Sequence, residues 1–269
     1  MHAETRSSIP PELRRSYLRL LPEAQELYLE RLVEQAEKLV LFERGRPVGY
    51  AAIHNATLVE FFVVPEKRDK LDEALASVEA FGFRRVLSKT FDEPLLAALS
   101  ALDMHSRTVG VLFRRINPAP SPPLVPCVAR FGGIGDIDAV LAIHDGFFDS
   151  AAEVADYARS GGLVLFADVS RHLLGCGVMR RITEEQEFVD IGMVVAPSHR
   201  TRGLGAQIAW WLKDYCERKA IKPVCGCDVE NIGSRKALER AGFRSIHRLL
   251  EFSRTSPNQA DSLPLRSPR

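Results

Sequence analysis

The stretch from Asp190 to Tyr215 constrains the fold of this chain more than any other. Asp190 to Val195 is apolar and rich in valine and isoleucine, as a buried strand is. Pro197 ends it, and a basic turn follows: Ser198-His199-Arg200-Thr201-Arg202-Gly203-Leu204-Gly205. Beyond the turn Leu204, Ile208, Trp211, Leu212 and Tyr215 recur at helical spacing and predict one apolar helix face. Glycines at 203 and 205 let backbone N–H groups converge and let a bulky anion come close. The helix N-terminus adds partial positive charge, worth about 0.3–1 kcal/mol to an exposed anion. Arg200 and Arg202 add full charges, so the turn is suited to a pyrophosphate.

A helix start chosen for packing alone would use the same glycines, so the neighbouring sequence has to separate the two readings. A dinucleotide fingerprint needs a third glycine where the chain has Ile208, and the Gly-Lys-Ser/Thr ending of a P-loop is absent. Downstream, Pro223 to Val229 reads as a second short strand. Asn231-Ile232-Gly233-Ser234-Arg235-Lys236-Ala237-Leu238-Glu239-Arg240-Ala241-Gly242-Phe243 follows it. The two motifs, in this order and with this strand–helix context from about Val189 to Phe243, resemble the second half of the GCN5-related N-acetyltransferase (GNAT) family.

The resemblance implies transfer of an acetyl or longer acyl group to an amine, with acetyl-CoA or another acyl-CoA as co-substrate and no metal. It implies that backbone N–H groups from Arg202 through Gly203, Leu204 and Gly205 to Ala206 grip the pyrophosphate, with Arg200 beside them. It places the pantetheine arm against Met193, Val194 and Val195, where a backbone N–H would also polarise the thioester carbonyl. Asn231, with Ser234 near it, would orient that arm.

The nucleophile must be a neutral amine. Deprotonating a lysine-like amine, with its reference pKa near 10.4, costs about 4.6 kcal/mol at pH 7. A general base contributes about 10²–10⁴-fold. Asp190 is the first candidate and Glu187 the second; Asp190 shares a strand face with Gly192 and Val194, Glu187 the other parity. The alternative for Asp190 is a strand acid satisfied by backbone or by Arg180. Leu238 stands where many relatives carry the tyrosine that protonates the leaving thiolate, so that acid is missing. Tyr215 falls on the core face of its helix and is expected to pack there. His144 and Asp145 fall where relatives often contact the acceptor, although a lone helical histidine is more often structural. Lys213, Arg218 and Lys219 form either a solvated helix face or a contact to the coenzyme's ribose phosphate. Cys225 and Cys227 are expected to be buried on opposite strand faces, without a shared metal.

Asn117 to Pro126 is proline-rich and reads as a stiff connector between halves of similar length. The expected domains are 1–117, a linker over 118–126, a complete family domain over 127–254, and a disordered tail over 255–269. In the second half, helices begin near Asp136 and Ala151, Leu163 to Asp168 and Leu173 to Arg181 form a hairpin, and Glu187 to Val195 is the central strand. Ser245 to Ser253 closes the sheet. The first half repeats the plan: a hairpin over Lys38 to His54, the strand Leu58 to Val64 stopped by Pro65, and a helix over Leu71 to Phe81. A strand near Arg85 and a helix from Pro94 complete it. Its turn, Pro65 to Asp72, has no glycine, which makes this half a degenerate copy that shapes a cleft or supports the fold. The fold class is α+β (mixed α/β), two acyl-CoA N-acyltransferase-like domains, each a mixed, mostly antiparallel sheet flanked by helices.

Net charge is +1, which argues against a nucleic-acid or membrane-surface partner. Five cysteines without framework spacing, with no apolar signal core and no bilayer-length run, suit a reducing, cytoplasmic compartment. The expected activity is acyl-CoA-dependent N-acetyl transfer to a primary amine by direct attack in a ternary complex, with the acceptor undetermined. The alternative is a non-catalytic acyl-CoA-binding or regulatory module. Transfer from aminoacyl-tRNA is a weaker third reading, and a homodimer is left open.

Overall fold

The computed structural model describes residues 1–100, 102–118, 121–122 and 124–254. The tail expected to be disordered over 255–269, and Ala119, Pro120 and Pro123 of the proline-rich run, lie outside the described residues. The chain packs as two compact units. One comprises Met1–Gly110 and the stretch that begins at His247; the other runs Val111–Ile246. The sequence reading cuts the chain contiguously at 118–126, whereas these units exchange strand ends. Both β6 (His105–Ile116) and β12 (Phe243–Ser253) start in one unit and finish in the other.

In the first unit the strand order is β1 (His2–Arg6), β2 (Glu37–Glu43), β3 (Arg46–His54), β4 (Thr57–Val63), β5 (Arg85–Lys89), then the end of β12 and the start of β6. Its helices are α1 (Pro11–Leu20), α2 (Leu27–Gln35), α3 (Leu71–Glu79) and α4 (Glu93–Leu99). Leu249 to Ser253 of β12 lie antiparallel to β5, with Leu249 opposite Lys89 and Ser253 opposite Arg85. Thus the closing strand assigned by sequence to the second half runs mostly in the first unit. The core is built where Leu39, Leu41, Phe61 and Val86 from the sheet meet Leu75 and Val78 of α3. The sequence reading left β1, α1, α2 and β6 unassigned. On α1, Leu13, Tyr17 and Leu18 form a narrow buried stripe against Tyr50 and Phe62, too short to stand out as a periodic pattern.

In the second unit the order is the start of β12, the end of β6, β11 (Lys222–Asp228), β10 (Phe188–Val195), β9 (Leu173–Arg181), β8 (Leu163–Ala167) and β7 (Val128–Phe131). Its helices are α5 (Ile137–Leu141), α6 (Ala151–Arg159), α7 (Leu204–Arg218) and α8 (Ile232–Arg240). Strand alternation sends Ile191 into the core beneath α7, with Ile208 and Leu212. Val194 points to the opposite face, among Val140, Phe148 and Val154 of the α5–α6 side. Asp190 has Val194's parity.

Two expectations for side chains change, those for Lys213 and for the Cys225–Cys227 pair, whereas Tyr215 packs against the core as expected. Lys213 is buried on α7, with 4 % exposure, and not part of a solvated face. Trp211 and Tyr215 are half-buried and stack on each other, with ring centroids 5.5 Å apart, while Phe131 meets Tyr215 edge-on. Cys225 and Cys227 enter the same core cluster, because residues two apart on a strand share a face. Burial pushes the Cys227 and Cys176 thiols up to about 12 and Cys216 to about 11, which suits inert core groups.

Each unit contains one fork between parallel strands. β4 pairs with β5 at Thr57–Leu58 against Arg85–Val86, yet the strands run on to Val63 and Lys89. β10 pairs with β11 at Phe188–Asp190 against Lys222–Val224, yet they run on to Val195 and Asp228. What fills each fork differs.

Candidate functional site

In the second unit the fork opens toward the turn that the sequence singles out. β10 stops before Pro197, and Pro197–His199 forms a single tight turn. Gly203 then sits at the N-cap of α7 with φ +89°, a left-handed conformation that disfavours any side chain. The first-turn N–H groups of α7, from Leu204 to Ala206, have no carbonyl one turn earlier to bond. Gly205 lies where α7 meets its neighbours: a Cβ there would come within 3.4 Å of the Ala237 Cβ and 3.6 Å of the Val195 Cγ2. Asn231 caps α8, its Oδ1 accepting the Ser234 N–H at 2.9 Å, so hydrogen bonding to a ligand falls to its NH₂ group.

These elements enclose a cavity of about 610 Å³, within the usual range of small-molecule sites. Met193, Val194, Val195, Arg200, Gly203, Leu204, Gly205, Ala206, Asn231 and Ser234 all line it. Arg202 is exposed and does not. Two helix N-termini and one open strand end therefore face a common space. Arg200 donates through Nε to the Val195 carbonyl at 3.2 Å and forms an ion pair with Asp145 at 2.9 Å.

Lys236 and Arg240, one turn apart on α8, also line the cavity. Sequence reasoning assigned them no role, although their i, i+4 spacing on the helix opened by Asn231 put them on one face. With Arg200 they make the wall cationic; Asp145 is the one carboxylate among the lining residues. Such a wall accepts polyanions. Lys213, Arg218 and Lys219 do not line it, and Arg218 pairs with Asp214 at 2.8 Å.

His144, Asp145 and Phe147 bring the segment after α5 to the same cavity. Neither candidate base lines it. Asp190 is buried where β10 and β11 part, opposite Arg180 of β9, about 10 Å along the strand from Met193. Glu187 precedes β10 at the end remote from the cavity, is exposed, and pairs with Lys222 at 3.5 Å. Leu238 is buried in the core under α8.

The corresponding place in the first unit is built for something else. Phe61–Val63, Arg68 and Leu71 line a cavity of about 200 Å³. Asp72 and Glu73 occupy the first turn of α3, where they repel an anion, and Lys67 and Lys70 are both paired with Glu43. The fork itself is plugged. Gln25, fully buried, donates to Glu60 of β4 at 2.8 Å and accepts from Lys89 of β5 at 2.8 Å. Tyr50 donates to Glu60 at 2.6 Å, and Tyr17 links Lys89 to Asp92.

Among the described residues no group of three or more His, Cys, Asp or Glu side chains could hold a metal ion, and no helix is long and apolar enough to cross a membrane.

Known families and structures share this architecture. The Acetyltransferase (GNAT) family model matches residues 139–243, and an Acetyltransferase (GNAT) domain model matches residues 9–115. A GNAT-family acetyltransferase from Colwellia psychrerythraea superposes with a TM-score of 0.86 at 16 % identity, covering 94 % of this chain and 99 % of that one. A GCN5-related N-acetyltransferase from Sphaerobacter thermophilus gives 0.62 at 16 % identity, covering 93 % and 94 %. A tandem GNAT protein from the clavulanic acid biosynthesis pathway gives 0.60 at 13 % identity, covering 93 % and 97 %. No curated protein matches the sequence significantly. With one family copy in each half, the chain belongs to the GNAT acetyltransferase family as a tandem member.

Proposed function

We propose that the chain is an N-acyltransferase that takes an acetyl group from acetyl-CoA, held in the second unit, and passes it to a primary amine. The observation that carries this reading is the convergence of two helix N-termini and an open strand end on one cationic cavity of about 610 Å³. The first-turn N–H groups of α7 suit a pyrophosphate, and Arg200, Lys236 and Arg240 suit the remaining phosphate charge. Met193 to Val195, beyond the last residues paired with β11, supply strand-edge hydrogen bonds for the amides of the pantetheine arm.

The amine attacks the thioester carbon directly, and coenzyme A departs as a thiolate. Asp190 is the proposed base: it lies on the α5–α6 face of β10, the face Phe147 covers at Gly192, and, set back about 10 Å along the strand from Met193, takes the amine proton through water. Glu187, exposed at the far strand end, is the weaker candidate. The first unit holds no coenzyme, since Gln25 bridges its fork and acidic residues open α3. Burial of Leu238 keeps a second reading in play, a module that binds acyl-CoA without turnover.

Calorimetric titration with acetyl-CoA, desulfo-coenzyme A and ATP tests the site. One acetyl-CoA per chain is expected, and the combined Gly203→Asp and Gly205→Asp variant should bind at least about 100-fold more weakly, roughly 2.8 kcal/mol. Equal affinity in that variant would remove the coenzyme reading. Tight binding without acetyl transfer to any of a panel of primary amines would favour the non-catalytic module.

A further inference from the structure

The cavity wall contains an imidazole whose chemical state is set by its own backbone. His144 precedes Asp145 and Gly146, whose φ values of +46° and +75° are those of a type I′ turn, and the Phe147 N–H donates to the His144 carbonyl at 2.9 Å. The next N–H, that of Phe148, donates to His144 Nδ1 at 3.2 Å. Phe148 is buried among Val140, Tyr157 and Val178, which fixes the donor. A backbone N–H can only donate, so Nδ1 is the acceptor and the neutral ring carries its hydrogen on Nε2. In this state Nε2 cannot take a proton from an amine, and giving up its own would leave an imidazolate. His144 is therefore suited to neither acid nor base work. It is a fixed, uncharged hydrogen-bond donor.

Its location gives that donor a use. His144 lines the cavity with Met193, Val194 and Val195. Three residues on, Phe147 lies against β10, so that a Cβ on Gly192 would come within 3.0 Å of its ring. The turn thus covers the strand just before the segment proposed to hold the pantetheine arm, where the thioester has to lie.

We propose that His144 is a catalytic residue whose Nε2–H donates to the thioester carbonyl oxygen and stabilises the negative charge that forms there. The inference rests on the coenzyme reading above. When the amine nitrogen bonds to the carbonyl carbon, the C=O π pair moves to oxygen and the His144 hydrogen bond shortens. When the C–S bond breaks, that pair returns and sulfur leaves with its own. The amine proton goes to the base. His144 gains and loses none.

The test uses the full chain with [1-¹³C]acetyl-CoA and reads the bound carbonyl stretch by isotope-edited infrared spectroscopy. Binding to the unaltered protein should move the stretch to lower wavenumber than in free acetyl-CoA. His144→Asn keeps an acceptor for the Phe148 N–H but loses the Nε2 donor, and should return the stretch toward its free value while still binding acetyl-CoA. His144→Gln extends an N–H toward the Nε2 position and should recover part of the shift. In the unaltered protein labelled with ¹⁵N-histidine, the resonance that disappears in His144→Asn should report the Nε2–H neutral form. An identical carbonyl stretch in unaltered protein and His144→Asn, both shown to bind acetyl-CoA, would overturn the proposal and leave the coenzyme reading intact. A His144 found as the Nδ1–H form would also overturn it. Absence of acetyl-CoA binding to the unaltered protein would overturn both.

Discussion

Asp190 and Glu60 are buried carboxylates on equivalent middle strands, and their partners give them different tasks. Asp190 sits at the last paired position of its fork, with Arg180 across β9 and a cavity further along the strand. Replacing it with asparagine keeps the size and removes the proton acceptor. Turnover in the Asp190→Asn variant, followed as coenzyme A released in the presence of an accepting amine, should fall about 10²–10⁴-fold with acetyl-CoA affinity unchanged. A wild-type rate would clear Asp190 of the base role. Glu60 accepts from Tyr50 and Gln25 and faces Arg14 at 3.1 Å, inside a fork closed by side chains. Burial pushes its carboxyl up to about 7, with Arg14 and Lys89 pulling the other way and Glu30 adding to the rise.

At the scale of the element, the forks of β4–β5 and β10–β11 are one backbone device used in two ways. Parallel strands that pair briefly and then diverge leave strand edges unsatisfied, and these need a ligand or a plug. The plug of the first unit has a pH signature. A carboxyl raised in the folded state from 4.5 to about 7 binds its proton more tightly there than in the unfolded chain. Its stabilising share is complete below about pH 4.5 and is lost as the pH rises through about 7. The loss is at most on the order of a few kcal/mol. The urea midpoint of the first unit's transition should therefore fall between pH 5 and pH 8, and Glu60→Gln should flatten that fall. A variant with an undiminished slope would assign the pH dependence to another group.

For the molecule as a whole, the exchange of strand ends governs how the chain can be divided. β5 takes its antiparallel neighbour from Leu249 to Ser253, more than a hundred residues beyond the proline-rich run. A fragment of residues 1–117 would expose the β5 edge that this strand covers, with Leu87 and Val86 beside it. Expressed alone, it should be insoluble or lack dispersed amide NMR signals, and co-expression with residues 118–269 should restore a folded complex. A well-dispersed spectrum from the lone fragment would show that the closing strand is dispensable.

Local chemistry alone determined a good part of this protein. The strand–turn–helix from Asp190 to Tyr215 and the Asn231 cap were legible because proline, glycine and asparagine act on their own backbone, whatever surrounds them. The repeated plan of the first half showed for the same reason: β4, its proline stop and α3 follow the order of β10, Pro197 and α7. Long-range placement decided the rest. Lys236 and Arg240 became part of the cationic wall only when α8 was laid beside α7, and tertiary packing also buried Lys213. Gln25 became a plug because α1 and α2 bring their connection over the fork, which no local pattern encodes. The crossing of β12 was illegible too, since pairing energy depends on which edge a strand meets, and an uninterrupted strand carries no mark of the point where it leaves one unit for the other.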